Sequence, residues 1–482
     1  MELSIEQQLI FNKYVNGDNI FITGPGGVGK SAIIREIYKH AIDNLKQIQV
    51  CAMTGCAAVL LQCKAKTVHS WAGIGRAVGD TSKVVERVTK CKYKKRNWLE
   101  TEILIIDEVS MMSKKLFNIL NTIAKRVKKN KKMFGGIQVI FSGDFYQLPP
   151  VGDSDDIETN QYCFESEEWN TVFNIDNQVH LKKIFRQDDE TYAKILNQVR
   201  EGKLKRNSYE ILLKQVNKPQ PSGDIDIIPT RLYPRRYNVE RINEDEMSKL
   251  KTPEKVFDRK RESKLTHQTD VEQEQGIYTK EEIEFEFLYL EASAPCPKTI
   301  NLRVGAQVMC IVNMDTVCGF QLCNGSQGTI IDFTEKDLPI VKFHGIPRPI
   351  TIGLHTWASE AIPKIGISQI PLILAWALTI HKAQGATLSM AEIDAGRNVF
   401  ECGQTYVALS RVKSLEGLYL YDFDYTKILV SKKVQEYYSN IEILRKKILE
   451  EKTIPKVIPS ITSEESGSKT IMMNWLSRTN TQ

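Results

Sequence analysis

The segment from Phe21 to Ser31 joins an apolar run to a glycine-rich loop that ends in Gly-Lys-Ser. Its glycines let backbone N–H groups turn toward phosphates, and Lys30 would place a positive charge on the β- and γ-phosphates. The Ser31 hydroxyl would ligate Mg²⁺. Isoleucines follow at helical spacing from Ile33 to Ile37, so the phosphates would lie at a helix N-terminus. This segment predicts a nucleoside triphosphate site.

Two carboxylates follow another apolar run, Ile103–Ile106. In enzymes with such a phosphate loop, this position suits one carboxylate for the Mg²⁺ shell and its neighbour for polarising the attacking water. We therefore expect Asp107 to bind the metal and Glu108 to act on the water. A solvated acidic pair at a strand end is the alternative interpretation.

Further polar candidates lie downstream, where Gln147 would sense the γ-phosphate by hydrogen bonding. Its neighbours Phe145 and Tyr146 belong either to this site or to the core, and the sequence leaves both open. Arg186 and Arg411 would stabilise charge on the transferred phosphoryl group, an effect worth about a thousandfold or more in rate. A second α/β unit would have to deliver these arginines across a cleft, and surface arginines are the alternative.

Composition restricts the class of protein. The chain has 482 residues and a net charge of +6, which allows a polyanionic partner. A chain of this length predicts roughly three domains. Its ten cysteines form no C-x-x-C pair, so we expect neither a zinc site nor disulfides, and reduced thiols favour the cytoplasm or the nucleus. The longest apolar stretch, Ile370–Ile380, is too short to span a bilayer, so we expect a soluble intracellular protein without a membrane partner.

The pattern of predicted elements changes along the chain. In the first half, apolar runs alternate with helical stretches, which predicts a parallel sheet with ligands at the carboxyl ends of its strands. Residues 255–362 contain short strands, including period-two alternation over Glu284–Leu290, and predict a small inserted all-β domain. α/β signals resume at Pro371, a charged helix follows near Ser431–Lys452, and the remainder predicts a flexible tail.

Several ordered motifs resemble those of the Pif-type (petite integration frequency) superfamily 1B DNA helicases, which are related more distantly to RecD. The resemblance covers roughly residues 3 to 420 and rests on the segments Leu3–Gln7, Thr54–Ala58, Thr67–Gly75, Leu116–Gln138, Thr379–Leu388 and Gln404–Arg411. It implies an ATP- and Mg²⁺-dependent helicase that moves 5′ to 3′ on single-stranded DNA and unwinds tailed duplexes in replication, repair or recombination.

The resemblance also implies the domain organisation. We expect two RecA-like P-loop NTPase domains with parallel sheets and an inserted Src-homology-3-like β-barrel domain. Domain 1A would span residues 1–180 with a 1B wedge near 75–98, domain 2A would span 181–254 and 363–452, domain 2B would span 255–362, and the tail 453–482. The nucleotide would contact Gln7, Gly24, Pro25, Gly26, Gly27, Val28, Gly29, Lys30, Ser31 and Gly385.

DNA contacts are expected from donors that follow strands or begin helices, and from aromatic rings that stack on bases for about 1–3 kcal/mol each. The candidates are Thr54, Thr67, His69, Ser70, Trp71, Phe145, His381 and Lys382. Each histidine taken alone could instead be a hydrogen-bonded structural residue.

Two interpretations concern partners. Lys469–Leu476 has apolar spacing similar to a sliding-clamp docking peptide, although such peptides normally start with Gln, and folding back onto the core is the alternative. Phosphate contacts do not by themselves reject a 2′-OH, so an RNA or RNA–DNA hybrid helicase is an alternative function. A DNA-stimulated ATPase that remodels without unwinding is another. We expect a monomer.

Overall fold

Six strands before residue 181 form one parallel sheet in the computed structural model. The structure describes residues 3–453 except 62, 76, 78, 154, 188, 220–228, 264–279, 313, 318–319, 323–324, 345, 360–361, 363–364 and 389. The strands are β1 (Ile20–Thr23), β2 (Ile48–Ala52), β3 (Lys66–Thr67), β4 (Ile103–Asp107), β5 (Gln138–Gly143) and β6 (Gln178–His180). Their order is β3-β2-β4-β5-β1-β6, with every pairing parallel. The predicted clamp peptide at 469–476 lies outside the described residues.

Helices cover both faces of this sheet, which explains the continuous apolar runs Ile103–Ile106 and Val139–Phe141 in its central strands β4 and β5. They are α1 (Ile5–Val15), α2 (Lys30–Asp43), α3 (Gly55–Leu61), α4 (Val68–Ala72), α5 (Thr81–Lys90), α6 (Lys92–Glu100), α7 (Lys114–Val127), α8 (Ile157–Asn160) and α9 (Trp169–Val172). The first sheet and these helices are called the first lobe below. Short 3₁₀ turns occur at Val109–Met111, Met133–Gly136, Cys163–Glu165 and Ile175–Asn177.

The chain then enters a second α/β region that an antiparallel region interrupts. Before the interruption lie α10 (Glu190–Glu201), α11 (Arg206–Leu213), β7 (Thr230–Tyr233) and α12 (Arg236–Lys249). The interruption contains β8 (Lys255–Asp258), β9 (Lys260–Ser263), α13 (Lys280–Ser293), β10 (Thr299–Leu302), β11 (Gln307–Cys310), β12 (Met314–Val317), β13 (Phe320–Leu322), β14 (Gln327–Phe333), β15 (Pro339–Phe343), β16 (Ile350–Thr351), β17 (His355–Ala358), β18 (Ile365–Gln369) and β19 (Leu372–Leu374). Its largest sheet has the order β16-β15-β14-β11-β19.

The last part of the chain completes a second parallel sheet. It contains β20 (Ala377–Thr379), β21 (Ala391–Ala395), α14 (Gln404–Leu409), β22 (Leu418–Phe423), a 3₁₀ turn at Tyr425–Lys427 and α15 (Lys432–Thr453). The sheet order is β20-β7-β21-β22, all parallel. This sheet with α10, α11, α12 and α14 is called the second lobe. The chain divides into two units after Tyr438, and every contact described below lies within the first unit.

One sequence prediction is wrong here. The period-two pattern at Glu284–Leu290 predicted a strand, whereas the structure has helix α13. Phe287 and Leu290 are buried and pack with Ile283, which gives helical spacing, while Phe285 and Leu288 are exposed. The alternation arose because apolar residues also occupy the exposed side of this helix. In the described part of the chain, no helix is long and apolar enough to cross a membrane.

Candidate functional site

The glycine-rich loop connects β1 to α2, as its sequence predicts. Gly29 adopts φ 82° directly before the first helical residue, Lys30. Lys30 Nζ donates to Gly24 O at 2.8 Å and to Pro25 O at 2.9 Å. Burial lowers the pKa of the Lys30 ammonium, and the nearby carboxylates Asp144, Glu108 and Asp107 oppose that change. The partly buried ammonium therefore lies in an acidic environment at the start of α2.

A cavity of about 300 Å³ opens beside this loop and receives residues from both lobes. Eleven of the predicted nucleotide-site residues line it: Gly26, Gly27, Gly29, Lys30, Ser31, Asp107, Glu108, Gln147, Arg186, Gly385 and Arg411. Gly24, Pro25 and Val28 belong to the same loop but do not line the cavity, and Val28 is buried in the core. The structure thus brings all six predicted catalytic side chains to one place.

The acidic pair lies at the end of β4. Burial raises the pKa of the Asp107 carboxyl. Burial and then repulsion from Asp107 raise the pKa of Glu108 to about 6, against the attraction of Lys30 and Arg411. Glu108 also has φ 56°, a left-handed conformation that costs a non-glycine residue about 1–2 kcal/mol. Strain of this kind is concentrated at functional sites, where the surrounding structure holds it.

A glutamine that the sequence analysis did not select links the acidic pair to Gln147. Gln384 Nε2 lies 3.2 Å from Glu108 Oε2 and 3.4 Å from Gln147 Oε1. Gln384 belongs to the second lobe and is buried, and its Oε1 has no hydrogen-bond partner among the residues that the structure describes. Its amide therefore connects the second lobe to two first-lobe residues that line the cavity.

The two predicted arginines approach the cavity from beyond the first lobe. Arg411 is buried, and its Nε donates to Val407 O at 2.9 Å while Nη2 donates to Ser410 Oγ at 2.7 Å. Burial, and then repulsion from Arg186, lowers the pKa of the Arg411 guanidinium to about 10. Arg186 follows the segment that contacts Gly27, where an added Cβ would lie 2.5 Å from Arg186 Cβ. Only glycine permits this close approach.

Tyr406 is a second residue that the sequence analysis did not select. Its hydroxyl accepts a hydrogen bond from the Gly26 N–H at 2.8 Å, so α14 contacts the phosphate loop directly. Burial raises the pKa of this hydroxyl, as does the charge of Asp144, so the phenol stays protonated. Tyr406 lies in the motif Gln404–Arg411, which the family resemblance already indicated. The spacing within this motif does not show which of its side chains contacts the phosphate loop.

Gln7, which the family resemblance predicts to contact the nucleotide, is buried against the phosphate loop and does not itself line the cavity. Gln7 caps α1 with Ser4, and its Nε2 donates to Gly29 O at 3.3 Å. Phe185 lines the cavity close by and is 49% exposed, which leaves a flat apolar surface accessible. Arg35 of α2 also lines the cavity. No sequence motif indicated Arg35, and Phe185 could be recognised from the sequence only as the neighbour of Arg186.

The candidate DNA contacts separate into two groups. Thr54, Thr67, His69, Ser70 and His381 are partly exposed, and Lys382 is exposed. Thr54 Oγ1 accepts from Ala57 N, and Thr67 Oγ1 accepts from Ser70 N, so both hydroxyls cap short helices that follow strands of the first sheet. Burial lowers the pKa of both His69 and His381, which favours neutral rings.

The structure contradicts the prediction that Trp71 and Phe145 stack on bases. Each side chain is 1% exposed and belongs to the core of the first lobe. Trp71 packs on Trp98 with ring centroids 4.3 Å apart, and Phe145 packs on Phe164 at 4.7 Å. Neither ring is available to stack on a nucleic acid base, because packing in the core leaves almost none of its surface exposed.

Fold and site together define a two-lobed P-loop NTPase. The family model described as PIF1-like helicase matches residues 2–210, and that of the DNA helicase Pif1 2B domain matches residues 286–333. The ATP-dependent DNA helicase PIF1 of Emericella nidulans is 34% identical over 88% of this chain, and the chain spans 61% of that relative. The chain belongs to the PIF1-like helicase family.

Solved structures agree with this assignment. The crystal structure of Pif1 helicase from Candida albicans is 34% identical, with a TM-score of 0.73 over 92% of this chain and 100% of that chain. The Pif1 helicase from Bacteroides in complex with ADP-AlF3 and ssDNA is 26% identical, with a TM-score of 0.62 over 93% and 98% of the two chains.

Proposed function

We propose that this chain is an ATP- and Mg²⁺-dependent DNA helicase that moves 5′ to 3′ on single-stranded DNA. One observation carries the proposal: a single cavity is lined by Lys30 and Glu108 of the first lobe and by Arg411 of the second. Hydrolysis in such a cavity is sensitive to how the lobes meet. The names of the relatives, ATP-dependent DNA helicases, support the choice of DNA and ATP. The polarity follows from the family resemblance.

Ser31 and Asp107 have the chemistry to hold Mg²⁺. Both present oxygen donors and both line the cavity, and Mg²⁺ prefers one or two protein oxygens together with phosphate oxygens and waters. Among the residues that the structure describes, no group of three or more His, Cys, Asp or Glu could hold a metal alone. When bound, the ion would neutralise charge on the phosphates.

The remaining cavity residues have separate tasks. Glu108, with a pKa near 6, is ionised at neutral pH and can orient the attacking water. Gln147 and Gln384 would report whether a γ-phosphate is present, and Lys30, Arg186 and Arg411 would stabilise its charge. Phe185 offers a ring for the base beside Gln7. Closure of the lobes on ATP and their reopening after hydrolysis would produce alternating grip on the strand.

We propose that the strand runs along the partly exposed donors Thr54, Thr67, His69, Ser70 and His381 and the exposed Lys382. They follow strands in both lobes, where side chains and helix N-termini can hold phosphates without reading sequence. The antiparallel region between α12 and β20 would help to grip DNA or separate the duplex. The active species would be a monomer.

The test is a fluorescent unwinding assay with 5′-tailed and 3′-tailed duplexes, made of DNA and of RNA. We expect ATP-dependent unwinding of 5′-tailed DNA alone, and none by the Lys30→Ala variant. Unwinding of RNA with equal efficiency would favour an RNA helicase. Strand-stimulated ATPase activity without unwinding of any duplex would favour a remodelling enzyme and overturn the helicase assignment.

A further inference from the structure

The turn after β5 is built around a carboxylate to which the proposed chemistry assigns no role. Asp144 follows the strand, and its O accepts from Gln147 N at 2.8 Å while its Oδ1 accepts from Tyr146 N at 3.2 Å. Gln147 is the turn residue whose side chain lines the nucleotide cavity. The position of Gln147 in the cavity therefore depends on how Asp144 is held.

Asp144 is held by an arginine of the second lobe. Arg200 Nε donates to Asp144 Oδ2 at 2.8 Å, and Arg200 Nη2 donates to Asp144 Oδ1 at 2.8 Å, which makes a bidentate ion pair. Asp144 is 0% and Arg200 4% exposed. Arg200 belongs to α10, whose apolar face packs in the core of the second lobe, and Tyr192 of the same helix donates to Leu409 O of α14. The ion pair thus joins the two lobes.

Aromatic rings extend this junction to the phosphate loop. The Arg200 guanidinium lies 4.4 Å from the ring centroid of Tyr146, and Tyr146 stacks on Tyr438 with centroids 5.0 Å apart. The Tyr438 hydroxyl lies 2.6 Å from Oγ1 of Thr23, the last residue of β1 before the phosphate loop. Arg200 therefore contacts the Gln147 turn directly, at Asp144 and Tyr146. The stacked rings of Tyr146 and Tyr438 also connect it to the start of the phosphate loop.

A buried ion pair is weak evidence for a stabilising role, because apolar residues of similar volume are often as stable. A bidentate arginine–carboxylate pair does add geometric specificity. We propose that Arg200 is a positioning residue, which couples the γ-phosphate-sensing turn at Gln147 to the second lobe and through it to the grip on the strand. The inference rests on the proposed helicase function.

The variant that tests it is Arg200→Lys, which keeps the positive charge but cannot form the planar fork or the same stacking. The measured quantity is the ratio of single-strand affinities with a non-hydrolysable ATP analogue and with ADP, from fluorescence anisotropy. We expect this ratio to move toward one by about tenfold, a typical size for coupling between sites. Strand-stimulated kcat should fall by a similar factor, while the KM for ATP changes little.

The matched control is Arg231→Lys. Arg231 Nε donates to Glu392 at 2.9 Å within the second lobe, so this pair does not join the lobes. The control should lower the melting temperature without changing the affinity ratio. A wild-type ratio and kcat in Arg200→Lys would overturn the inference, and so would an equal fall in ADP affinity, strand affinity and kcat, because that pattern reports general destabilisation.

A second variant covers the case in which Arg200→Lys does not fold. Tyr146→Leu removes the ring beneath the guanidinium but keeps the ion pair, and it should reduce the affinity ratio partially; an unchanged ratio would count against the coupling. Failure of the helicase assignment is distinguishable, since the wild-type protein itself would then show no strand-stimulated ATPase activity and no nucleotide-dependent strand affinity.

Discussion

Replacing Glu108 by Gln should stabilise the folded protein at alkaline pH while it slows strand-stimulated ATP hydrolysis by about 10²–10⁴-fold. Burial and repulsion from Asp107 raise the pKa of Glu108 from its ordinary 4.5 to about 6. Because the folded chain binds this proton more tightly than the unfolded chain, stability is lost as pH rises from about 4.5 to above 6. At about 1.4 kcal/mol per pKa unit, the ionised group costs about 2 kcal/mol at pH 8. Glutamine keeps the size and the acceptor oxygen that faces Gln384 but carries no charge.

Thermal unfolding at two pH values measures this effect. The ionisation cost is about 0.8 kcal/mol at pH 5 and about 2 kcal/mol at pH 8, so the advantage of Glu108→Gln over wild type should grow by about 1 kcal/mol between them. The control is Glu100→Gln, whose side chain is 56% exposed and whose substitution should give no such gain. The reasoning fails if Glu108→Gln is less stable than wild type at pH 8, or if its advantage is the same at both pH values.

The same variant reports on catalysis. Loss of a group that orients and deprotonates water typically costs about 10²–10⁴-fold in rate, so ATP turnover should fall by that factor while ADP affinity persists. If Glu108→Gln is more stable and less active than the wild type, the charge of Glu108 serves catalysis at a cost in stability. Turnover at the wild-type rate would show that another group acts on the water.

Three further changes test other parts of the site. Lys30→Ala should abolish ATP turnover in a phosphate-release assay and leave strand affinity largely intact, since the strand donors lie elsewhere; loss of both would indicate a folding defect. Tyr406→Phe removes the acceptor of the Gly26 N–H and should weaken the contact between the lobes by about 1 kcal/mol, seen as longer interlobe distances in fluorescence energy transfer without nucleotide. Trp71→Ala should cost about 3–5 kcal/mol of stability with normal strand affinity of the folded fraction, whereas weaker binding at full stability would restore a stacking role.

The sequence was most informative where chemistry follows strands. A glycine-rich loop after β1 and the carboxylates at the end of β4 lie together because parallel strands end at one edge of a sheet, and this rule needs only the order of elements. Local sequence patterns were less informative where the burial of a side chain determines its role. The α13 helix was misread because its exposed side is also apolar, and Trp71 was misassigned because a motif position does not reveal which neighbours cover a ring.

Contacts between the lobes were not predictable for another reason. Arg200 and Asp144 are 56 positions apart, and Tyr406 and Gly26 are 380 apart, so no spacing rule relates them. Each residue taken alone has an ordinary interpretation as a surface arginine or a core tyrosine. Their roles emerge only from the packing of α10 and α14 against the first lobe.

The protein partners of the phosphate-binding groups bear on how ATP would produce motion. In this structure the Lys30 ammonium donates to loop carbonyls, the Gly26 N–H donates to Tyr406, and the Gln384 amide donates to Glu108. A triphosphate that accepts hydrogen bonds from these three donors must replace their present partners, and each exchanged hydrogen bond changes the free energy by about 1 kcal/mol. Since Tyr406 and Gln384 belong to the second lobe, the exchange cannot be completed without altering how the lobes meet. Nucleotide binding would therefore change the contacts between the lobes, and with them the grip on the strand, before ATP is hydrolysed.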